Sequence, residues 1–303
     1  MDMDKPNIAL IGMGLIGSSI GHALKKYDLA AHVAGYARSA ETRVKALDIG
    51  FVDAIYETPE DACREADIVF FNTPLGVMGE LATQILPVLK DNAIITDVGS
   101  AKGKLQAEIS PLLEGRVHFV PGHPIAGTEQ SGPEAGFADL FEGRWCILTP
   151  DDKTSLIAVE QVAKLWRGMG SEVAFMDAAH HDLVLAITSH LPHLIAFNIV
   201  GTAAHLETET RSEVIKYSAS GFRDFTRIAA SDPVMWRDIF LDNKDAVLEM
   251  LGRFSEDLTA LQRAIRHGDG DYLEQTFSRT RAIRQSIIEA GQDTDAPNFG
   301  RDK

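Results

Sequence analysis

Residues 7–17 of the chain are NIALIGMGLIG, an apolar run followed by glycines with the spacing G-x-G-x-x-G. The apolar run predicts a buried strand over Asn7–Ile11, and residues 18–26 are typical of a helix. A strand, this glycine spacing and a helix, in that order, form the fingerprint of a dinucleotide-binding fold. Taken alone, the stretch also fits a glycine-rich turn that binds nothing.

Each glycine has a separate role in the predicted site. Gly12 permits the tight turn, Gly14 lets the backbone approach a pyrophosphate, and Gly17 lets the helix pack closely on the strand. The first N–H groups of the helix, with Leu15 and Ile16, would bind phosphate oxygens at the positive end of the helix dipole. We therefore assign these five residues to cofactor binding.

The residues after the second predicted strand, His32–Tyr36, bear on the choice of cofactor. An NAD site usually carries Asp or Glu about 20 residues beyond the glycines, where it binds the ribose 2′-OH. This chain has Ala37, Arg38 and Ser39 there, which leaves room and positive charge for a 2′-phosphate. An Arg38 that stacks on the adenine or faces solvent fits equally well, so NAD and NADP both stay open.

Strand and helix patterns alternate through the first half of the chain. Apolar runs predict strands at 68–72, 93–98, 117–120, 145–149 and 172–176. Because the carboxyl ends of parallel strands meet at one edge of a sheet, Thr73, Pro74, Ser100 and His123 are expected near one crevice. We predict an α/β, Rossmann-type dinucleotide-binding domain over residues 1–176.

Residues 122–132, GHPIAGTEQSG, follow one of these strands. Their Gly and Pro content predicts a loop. Imidazole titrates near neutral pH, so His123 is a candidate acid–base group. A solvated histidine in a turn has the same pattern, and a lone histidine decides nothing.

The second half, residues 177–303, is predicted to be an all-α substrate and dimerisation domain. Residues 180–204 are expected to form one long helix, kinked at Pro192. From Val247 to Ile265, apolar residues recur in alternating steps of four and three, the pattern of a helix seam. A bundle within one chain gives the same pattern as a dimer. The polar tail at 292–303 is expected to be disordered.

Two polar clusters interrupt the helical half. His190 and His193 are three residues apart, but no carboxylate or cysteine completes a metal site with them, so we assign no metal. Residues 221–229, GFRDFTRIA, are expected to lie between helices, and their arginines suit a carboxylate ligand. A surface loop with salt bridges has the same composition.

Composition excludes several classes of partner. The chain has 303 residues and a net charge of −15, which argues against nucleic acid and anionic membranes. We expect no apolar run of the roughly 18 residues that a membrane span needs, and no signal peptide in residues 1–6. Cys63 and Cys146 have no metal or redox spacing, so a cytoplasmic location is expected.

Taken together, the motifs resemble the prephenate/arogenate (cyclohexadienyl) dehydrogenase family of tyrosine biosynthesis. The resemblance rests on the glycine fingerprint, on DVGSAK at 97–102, on residues 122–132, on SHLPH at 189–193, on residues 221–229 and on SDPVMW at 231–236. It implies oxidative decarboxylation of prephenate, arogenate or both with NAD or NADP. The apolar stripe from Val247 to Ile265 leads us to expect a homodimer. The alternatives are another dehydrogenase or imine reductase with a helical second domain, and a nucleotide-sensing binding protein.

The resemblance also implies roles for single residues. His123 corresponds to the catalytic histidine that bonds the ring C4 hydroxyl, Ser100 to the serine that orients it, and Arg227 to the arginine that binds the ring carboxylate. His193 corresponds to a histidine of the substrate pocket. Family members often carry glycine in place of Ser220, which leaves the choice between prephenate and arogenate open. Further positions correspond to the pocket or its gate: Thr128, Glu129, Arg223, Asp224 and Trp236.

Overall fold

The computed structural model describes residues 5–128, 130–205, 216 and 220–289. Its main sheet has six strands: β1 Asn7–Ile11, β2 His32–Tyr36, β3 Ala54–Tyr56, β4 Ile68–Phe71, β5 Ile94–Asp97 and β6 His118–Val120. All neighbouring strands are parallel, in the order β3-β2-β1-β4-β5-β6. The order changes direction between β1 and β4, where a doubly wound sheet opens a crevice.

Helices cover both faces of this sheet. Five of them are α1 Leu15–Lys26, α2 Ala40–Ile49, α3 Pro59–Cys63, α4 Met78–Ile85 and α5 Gly103–Ile109. Along β1, Ile8 and Leu10 belong to one buried apolar cluster, whereas Ala9 and Ile11 belong to the other. This alternation is what a strand buried on both faces shows. The predicted Rossmann-type fold is therefore confirmed.

A second, smaller sheet carries His123. It consists of β7 Gly122–Pro124, β8 Trp145–Leu148 and β9 Glu172–Phe175, with α6 Leu156–Gly168 between the last two. Strand β7 is antiparallel to β8, and His123 lies opposite Ile147. The predicted loop over residues 122–132 is thus wrong for its first three residues, because pairing with an apolar strand outweighs the local Gly and Pro content. The pairing holds the backbone at His123.

The segment predicted as one kinked helix is interrupted by a π turn. The structure has α7 Ala178–Leu185, a π turn over Ala186–His190 and α8 Leu191–Ala204. Pro192 lies in the first turn of α8, where its missing N–H is tolerated, and the wider π turn accommodates the break in hydrogen bonding.

By length and composition alone, Ala178–Ala204 could cross a membrane. The expectation that the chain has no such segment is therefore wrong. The core helix of a folded domain meets the same criterion, and this segment carries buried polar side chains, among them His181, Asp182 and His190.

The remaining helices are α9 Ser220–Thr226, a 3-10 turn over Arg227–Ala230, α10 Pro233–Asp242, α11 Lys244–His267 and α12 Gly270–Glu289. The prediction that residues 221–229 lie between helices is wrong. After Gly221 the chain has no Gly or Pro until Pro233, so nothing local stops a helix. Asp232 then caps α10 by accepting a hydrogen bond from Met235 N at 2.8 Å, an interaction that typically contributes about 1 kcal/mol.

The chain divides into two compact units after Val247. The first contains both sheets and the helices as far as α10, and the second contains most of α11 together with α12. In the second unit several large apolar side chains are more than half exposed: Leu258, Ile265, Phe277 and Ile283. The predicted boundary at residue 176 stays a prediction, and the predicted tail at 292–303 lies outside the described residues.

Candidate active site

The glycine loop after β1 is shaped to receive a dinucleotide. Gly12 has a φ of +98°, and a Cβ there would lie 2.6 Å from the Asn72 carbonyl oxygen. A Cβ on Gly17 would lie 2.2 Å from the Gly12 carbonyl oxygen, so both positions require glycine. A Cβ on Gly14 would meet no described atom within 4 Å. Gly14 therefore faces open space, as close approach of a pyrophosphate requires.

Several polar groups beside this glycine loop have no hydrogen-bond partner among the described residues and could bind a cofactor. Helix α1 begins with Leu15 and Ile16, and no described side chain caps its first N–H groups. At the end of β4, Thr73 Oγ1 and Asn72 Oδ1 are buried and lack a hydrogen-bond partner in the described part of the chain, and Pro74 follows. Buried polar atoms are normally paired. Unpaired atoms beside an open glycine loop fit a bound dinucleotide.

The loop after β2, where the adenosine ribose of a dinucleotide would lie, contains no acid. Ala37 is buried and Arg38 is exposed. The Ser39 hydroxyl, predicted to bind cofactor, accepts a hydrogen bond from Thr42 N at 3.3 Å and so caps α2. Arg43 Nη1 donates to the carbonyl oxygens of Ala37 and Arg38 at 2.8 and 3.1 Å. Arg43, which was not predicted from the sequence, is thus a second cation that stabilises this loop.

His123 is buried against a second histidine. His123 Nδ1 lies 2.8 Å from His181 Nε2, and the rings meet edge to face with their centroids 5.1 Å apart. Burial, and then the charges of His181, Lys102 and His190, hold the pKa of His123 well below its usual value of 6.5. The imidazole is therefore neutral at neutral pH and has a lone pair with which to accept a hydrogen bond.

A carboxylate lies behind this pair. His181 Nδ1 is 2.9 Å from Asp182 Oδ1. The same carboxylate accepts hydrogen bonds from the backbone N–H groups of Lys102 and Gly103, each at 2.8 Å. Burial raises the pKa of Asp182, but the bonds from His181, Gly103 and Lys102 outweigh it and leave the pKa below its usual value. Asp182 is thus ionised and held at the start of α5.

A buried ion pair joins the end of β5 to the start of β7. Lys102 is fully buried, and its Nζ donates to Asp97 Oδ2 and to the Gly122 carbonyl oxygen. Asp97 also accepts hydrogen bonds from the N–H groups of Gly99 and Gly122, at 2.8 and 3.1 Å. Breaking a buried pair of this kind typically costs about 3–5 kcal/mol. The pair therefore holds Gly122, and with it the adjacent His123.

His190 is a buried neutral imidazole with a fixed tautomer. Asn243 Nδ2 donates to the Asp182 carbonyl oxygen at 2.7 Å and lies 3.0 Å from His190 Nδ1. Since that amide nitrogen carries hydrogens, Nδ1 accepts and Nε2 carries the proton. Burial is the main cause that lowers the pKa of His190 to about 4, while Asp182 and the Ser100 carbonyl act in the opposite direction. Its Nε2 has no hydrogen-bond partner in the described residues.

His193 and Trp236 form a stacked wall close to His190. Their ring centroids are 3.7 Å apart, and His193 Nδ1 donates to the Ser189 carbonyl oxygen at 2.9 Å. Burial lowers the pKa of His193, and the positive charge of Arg227 lowers it further. Trp236 Nε1 is buried and unpaired among the described side chains. The described residues contain no group of three His, Cys, Asp or Glu side chains that could hold a metal ion.

The other predicted site residues lie in different surroundings. Ser100 is half-buried in the turn after β5, and no described hydrogen bond joins its hydroxyl to His123, whose partner is His181. Thr128 is exposed, and its hydroxyl accepts from Gln130 N at 3.2 Å. Arg223 and Asp224 are exposed on α9, and Arg227 is exposed in the 3-10 turn. Glu129 lies outside the described residues.

The polar residues behind His123 were missed by the sequence analysis. His181 and Asp182 interrupt an apolar helix, and a polar pair in such a helix is a usable signal of a buried site. Lys102 ends the segment DVGSAK at 97–102, but no role was predicted for this lysine from the sequence. For Asn243 no local pattern exists, because its partners are distant in sequence.

A doubly wound sheet with an open glycine loop, and a neutral buried histidine beyond its carboxyl edge, define a dinucleotide-dependent oxidoreductase. Residues 20–175 match the model of the prephenate dehydrogenase nucleotide-binding domain, and residues 177–279 match that of the prephenate dehydrogenase dimerization domain. The chain belongs to the prephenate dehydrogenase family.

Individual members of the family are similar to this chain over nearly its whole length. A cyclohexadienyl dehydrogenase from Zymomonas mobilis is 42% identical over 93% of this chain and 96% of its own length. A prephenate dehydrogenase from Bacillus subtilis is 36% identical over 95% of this chain and 77% of its own length. The prephenate dehydrogenase of Aquifex aeolicus, solved with hydroxyphenyl propionate and NAD+, superposes with a TM-score of 0.89 at 36% identity, covering 95% of this chain and all of that one.

These findings confirm the predicted family, the predicted enzyme class and the predicted cofactor class. The chain is an NAD(P)-dependent dehydrogenase of tyrosine biosynthesis.

Proposed function

We propose that the chain converts prephenate to 4-hydroxyphenylpyruvate, arogenate to tyrosine, or both, by oxidative decarboxylation with NAD+ or NADP+. The observation that carries the proposal is the neutral, buried imidazole of His123, held by His181. A turnover assay with both substrates and both cofactors tests it. Conversion of neither substrate, by protein that binds the cofactor, would rule it out.

In this proposal, His123 accepts a hydrogen bond from the hydroxyl on C4 of the substrate ring and so stabilises the positive charge that develops there as C4 is oxidised. The C4 hydrogen leaves with its electron pair, which the bound nicotinamide accepts. The bond from the ring to its carboxylate breaks, CO2 departs, and the bonding electrons complete the aromatic ring. The hydroxyl proton stays on the phenol, so His123 ends the cycle neutral.

Other residues hold the substrate. Arg227 binds the ring carboxylate, and its effect on the pKa of His193 supports a place beside the substrate wall. The indole N–H of Trp236, which is buried and unpaired among the described residues, offers a donor to the substrate's polar groups. Ser100 forms a hydrogen bond to the same C4 hydroxyl as His123. By the family resemblance, four further residues are proposed to line the substrate pocket or its gate: Thr128, Glu129, Arg223 and Asp224.

The proposed role of His123 sets the pH dependence of the reaction. Only the neutral imidazole accepts, so activity is present above the pKa of His123 and is lost as pH falls through it. Burial, His181, Lys102 and His190 all lower this pKa. We expect the acidic limb of the kcat/KM profile to lie below pH 6.5, the ordinary value for histidine. A limb at or above 6.5 would contradict a desolvated His123.

We propose that NADP+ is accepted at least as well as NAD+, because no acid lies where it would repel a 2′-phosphate. Ala37→Asp should shift the preference towards NAD+ by about tenfold or more, roughly 1.4 kcal/mol. The new carboxylate would repel the 2′-phosphate, and Arg43 is close enough to stabilise it. Kinetics with both cofactors measure the shift.

Arg38→Ala is the matched control, since it should weaken NADP+ alone. Loss of a charge-assisted contact typically costs about 1.5–3 kcal/mol. A strong preference of the unaltered protein for NAD+ would mean that Arg38 does not contact the ribose phosphate.

We further propose a homodimer formed through the helical half, and a cytoplasmic location. The exposed apolar side chains of α11 and α12 would be costly to leave in water, and both cysteines are buried and unpaired, as in a reducing compartment. Sedimentation should show a dimer at micromolar concentration. The double variant Leu258→Glu with Ile265→Glu should shift it towards monomer. A stable monomer of the unaltered protein would refute the proposal.

A further inference from the structure

We propose that His181 and Asp182 are positioning residues, which together hold His123 with its proton on Nδ1 and its lone pair on Nε2. The inference rests on the proposed role of His123 as the group that accepts from the substrate hydroxyl. It concerns which nitrogen of His123 is free to do so.

The direction of the hydrogen bonds begins at Asp182. An ionised carboxylate accepts hydrogen bonds and donates none. Asp182 Oδ1 lies 2.9 Å from His181 Nδ1 and accepts from Lys102 N, while Oδ2 accepts from Gly103 N. The two backbone bonds stop the carboxylate from turning. His181 Nδ1 must therefore carry a proton and donate it to Oδ1.

The next link is His181 itself. Burial is the largest effect on its pKa and lowers it, although the bond to Asp182 opposes this. A neutral imidazole that carries its proton on Nδ1 has a lone pair on Nε2. That Nε2 lies 2.8 Å from His123 Nδ1, a distance at which one nitrogen must donate and the other accept. His123 Nδ1 is therefore the donor.

The last link is His123. Its side chain is buried, and the charged or titratable groups that act on it are His181 from α7, Lys102 from the turn after β5 and His190 from the π turn. All three lower its pKa, so the ring holds one proton. That proton is on Nδ1, and Nε2 retains the lone pair. The opposite tautomer would set two lone pairs against each other at 2.8 Å.

The position of the proton on His123 matters for the reaction. If the proton lay on Nε2, that nitrogen could donate to the substrate hydroxyl but could not accept from it. A misplaced proton of this kind inactivates a catalytic histidine even when the ring keeps its position. His181 and Asp182 thus act through His123 and do not themselves touch the reacting atoms.

Variants of His181 test the inference through kinetics. His181→Phe keeps a ring but removes both polar contacts, and we expect kcat to fall about 100-fold with the KM for cofactor unchanged within twofold. His181→Gln can donate to Asp182 and accept from His123 through its amide, so its kcat should stay within about tenfold of the unaltered protein. His180→Phe, at the exposed neighbouring histidine, is the control and should leave kcat unchanged. Equal kcat values for His181→Phe and His181→Gln would overturn the inference.

Imidazole nitrogen NMR on the unaltered protein tests the tautomer directly. Long-range proton–nitrogen spectra of histidine-labelled protein, assigned with His123→Asn, should show a protonated Nδ1 and an unprotonated Nε2 for His123. A protonated Nε2 would overturn the inference, even if the His181 variants fail to fold. If the spectrum is as expected but His123→Asn remains active, the proposed function of His123 fails and the tautomer assignment survives.

Discussion

Replacing His123 with Asn is expected to lower kcat by roughly 10²–10⁴-fold, the usual contribution of a positioned acid–base group. An amide oxygen is a much weaker base than a neutral imidazole, so it stabilises less of the positive charge that develops at the C4 hydroxyl. The side chain lies in β7 against His181, not in the glycine loop after β1. Cofactor affinity should therefore stay unchanged. Single-turnover absorbance of the reduced cofactor measures the chemical step.

A second histidine provides the control for this variant. His118 begins β6, at the amino end of a parallel strand, whereas His123 follows the carboxyl end of the same strand. His118→Asn should therefore retain kcat. If His123→Asn kept near-full turnover with either substrate, His123 would not be the group that accepts from the C4 hydroxyl.

Replacing Arg227 with Ala is expected to raise the KM for substrate by about 30-fold or more, with a smaller change in kcat. Truncating one partner of a charge-assisted pair typically costs roughly 2–5 kcal/mol, and 1.4 kcal/mol is a factor of ten in affinity. Arg227 is exposed in a 3-10 turn, and its charge acts on His193. Initial rates over a range of substrate concentrations separate KM from kcat.

The control for Arg227 is Arg64→Ala. Arg64 is also exposed and forms a 3.4 Å ion pair with Asp61 at the end of α3, a contact of the kind that contributes little to stability. Its loss should change neither KM nor fold. An unaltered KM in Arg227→Ala would show that another cation binds the ring carboxylate, and Arg223 on α9 would then be the candidate.

Sequence patterns correctly predicted those features of the structure that depend only on residues close together in the chain. The glycine spacing from Gly12 to Gly17 and the bounds of β1 and β2 follow from backbone conformation and hydrophobic pattern over a few residues. For the same reason, a Pro at position 192 predicted a kink in one long helix. It could not predict the π turn, because the width of that turn depends on what packs around it.

The candidate site was predicted only in part. The loop sequence suggested His123 as an acid–base group, and the resemblance implied roles for Arg227, His193 and Trp236; these roles stay predictions. The structure adds Lys102, whose Nζ donates to the Gly122 carbonyl oxygen beside His123. The loop expected around His123 is a strand, since its backbone pairs with β8, more than twenty residues away in sequence. The sequence of residues 122–132 alone does not indicate which distant strand they pair with.

By itself, the sequence determined the dinucleotide fold, the all-helical second half and the family, because glycine spacing, hydrophobic period and ordered motifs are local properties. Only the tertiary structure decided what surrounds His123. His181 lies 58 residues further along the chain and Lys102 is 21 residues earlier, yet folding brings both into its surroundings. Burial and hydrogen-bond direction, which set the pKa and tautomer of an imidazole, depend on these distant partners. They exist only once the chain has folded.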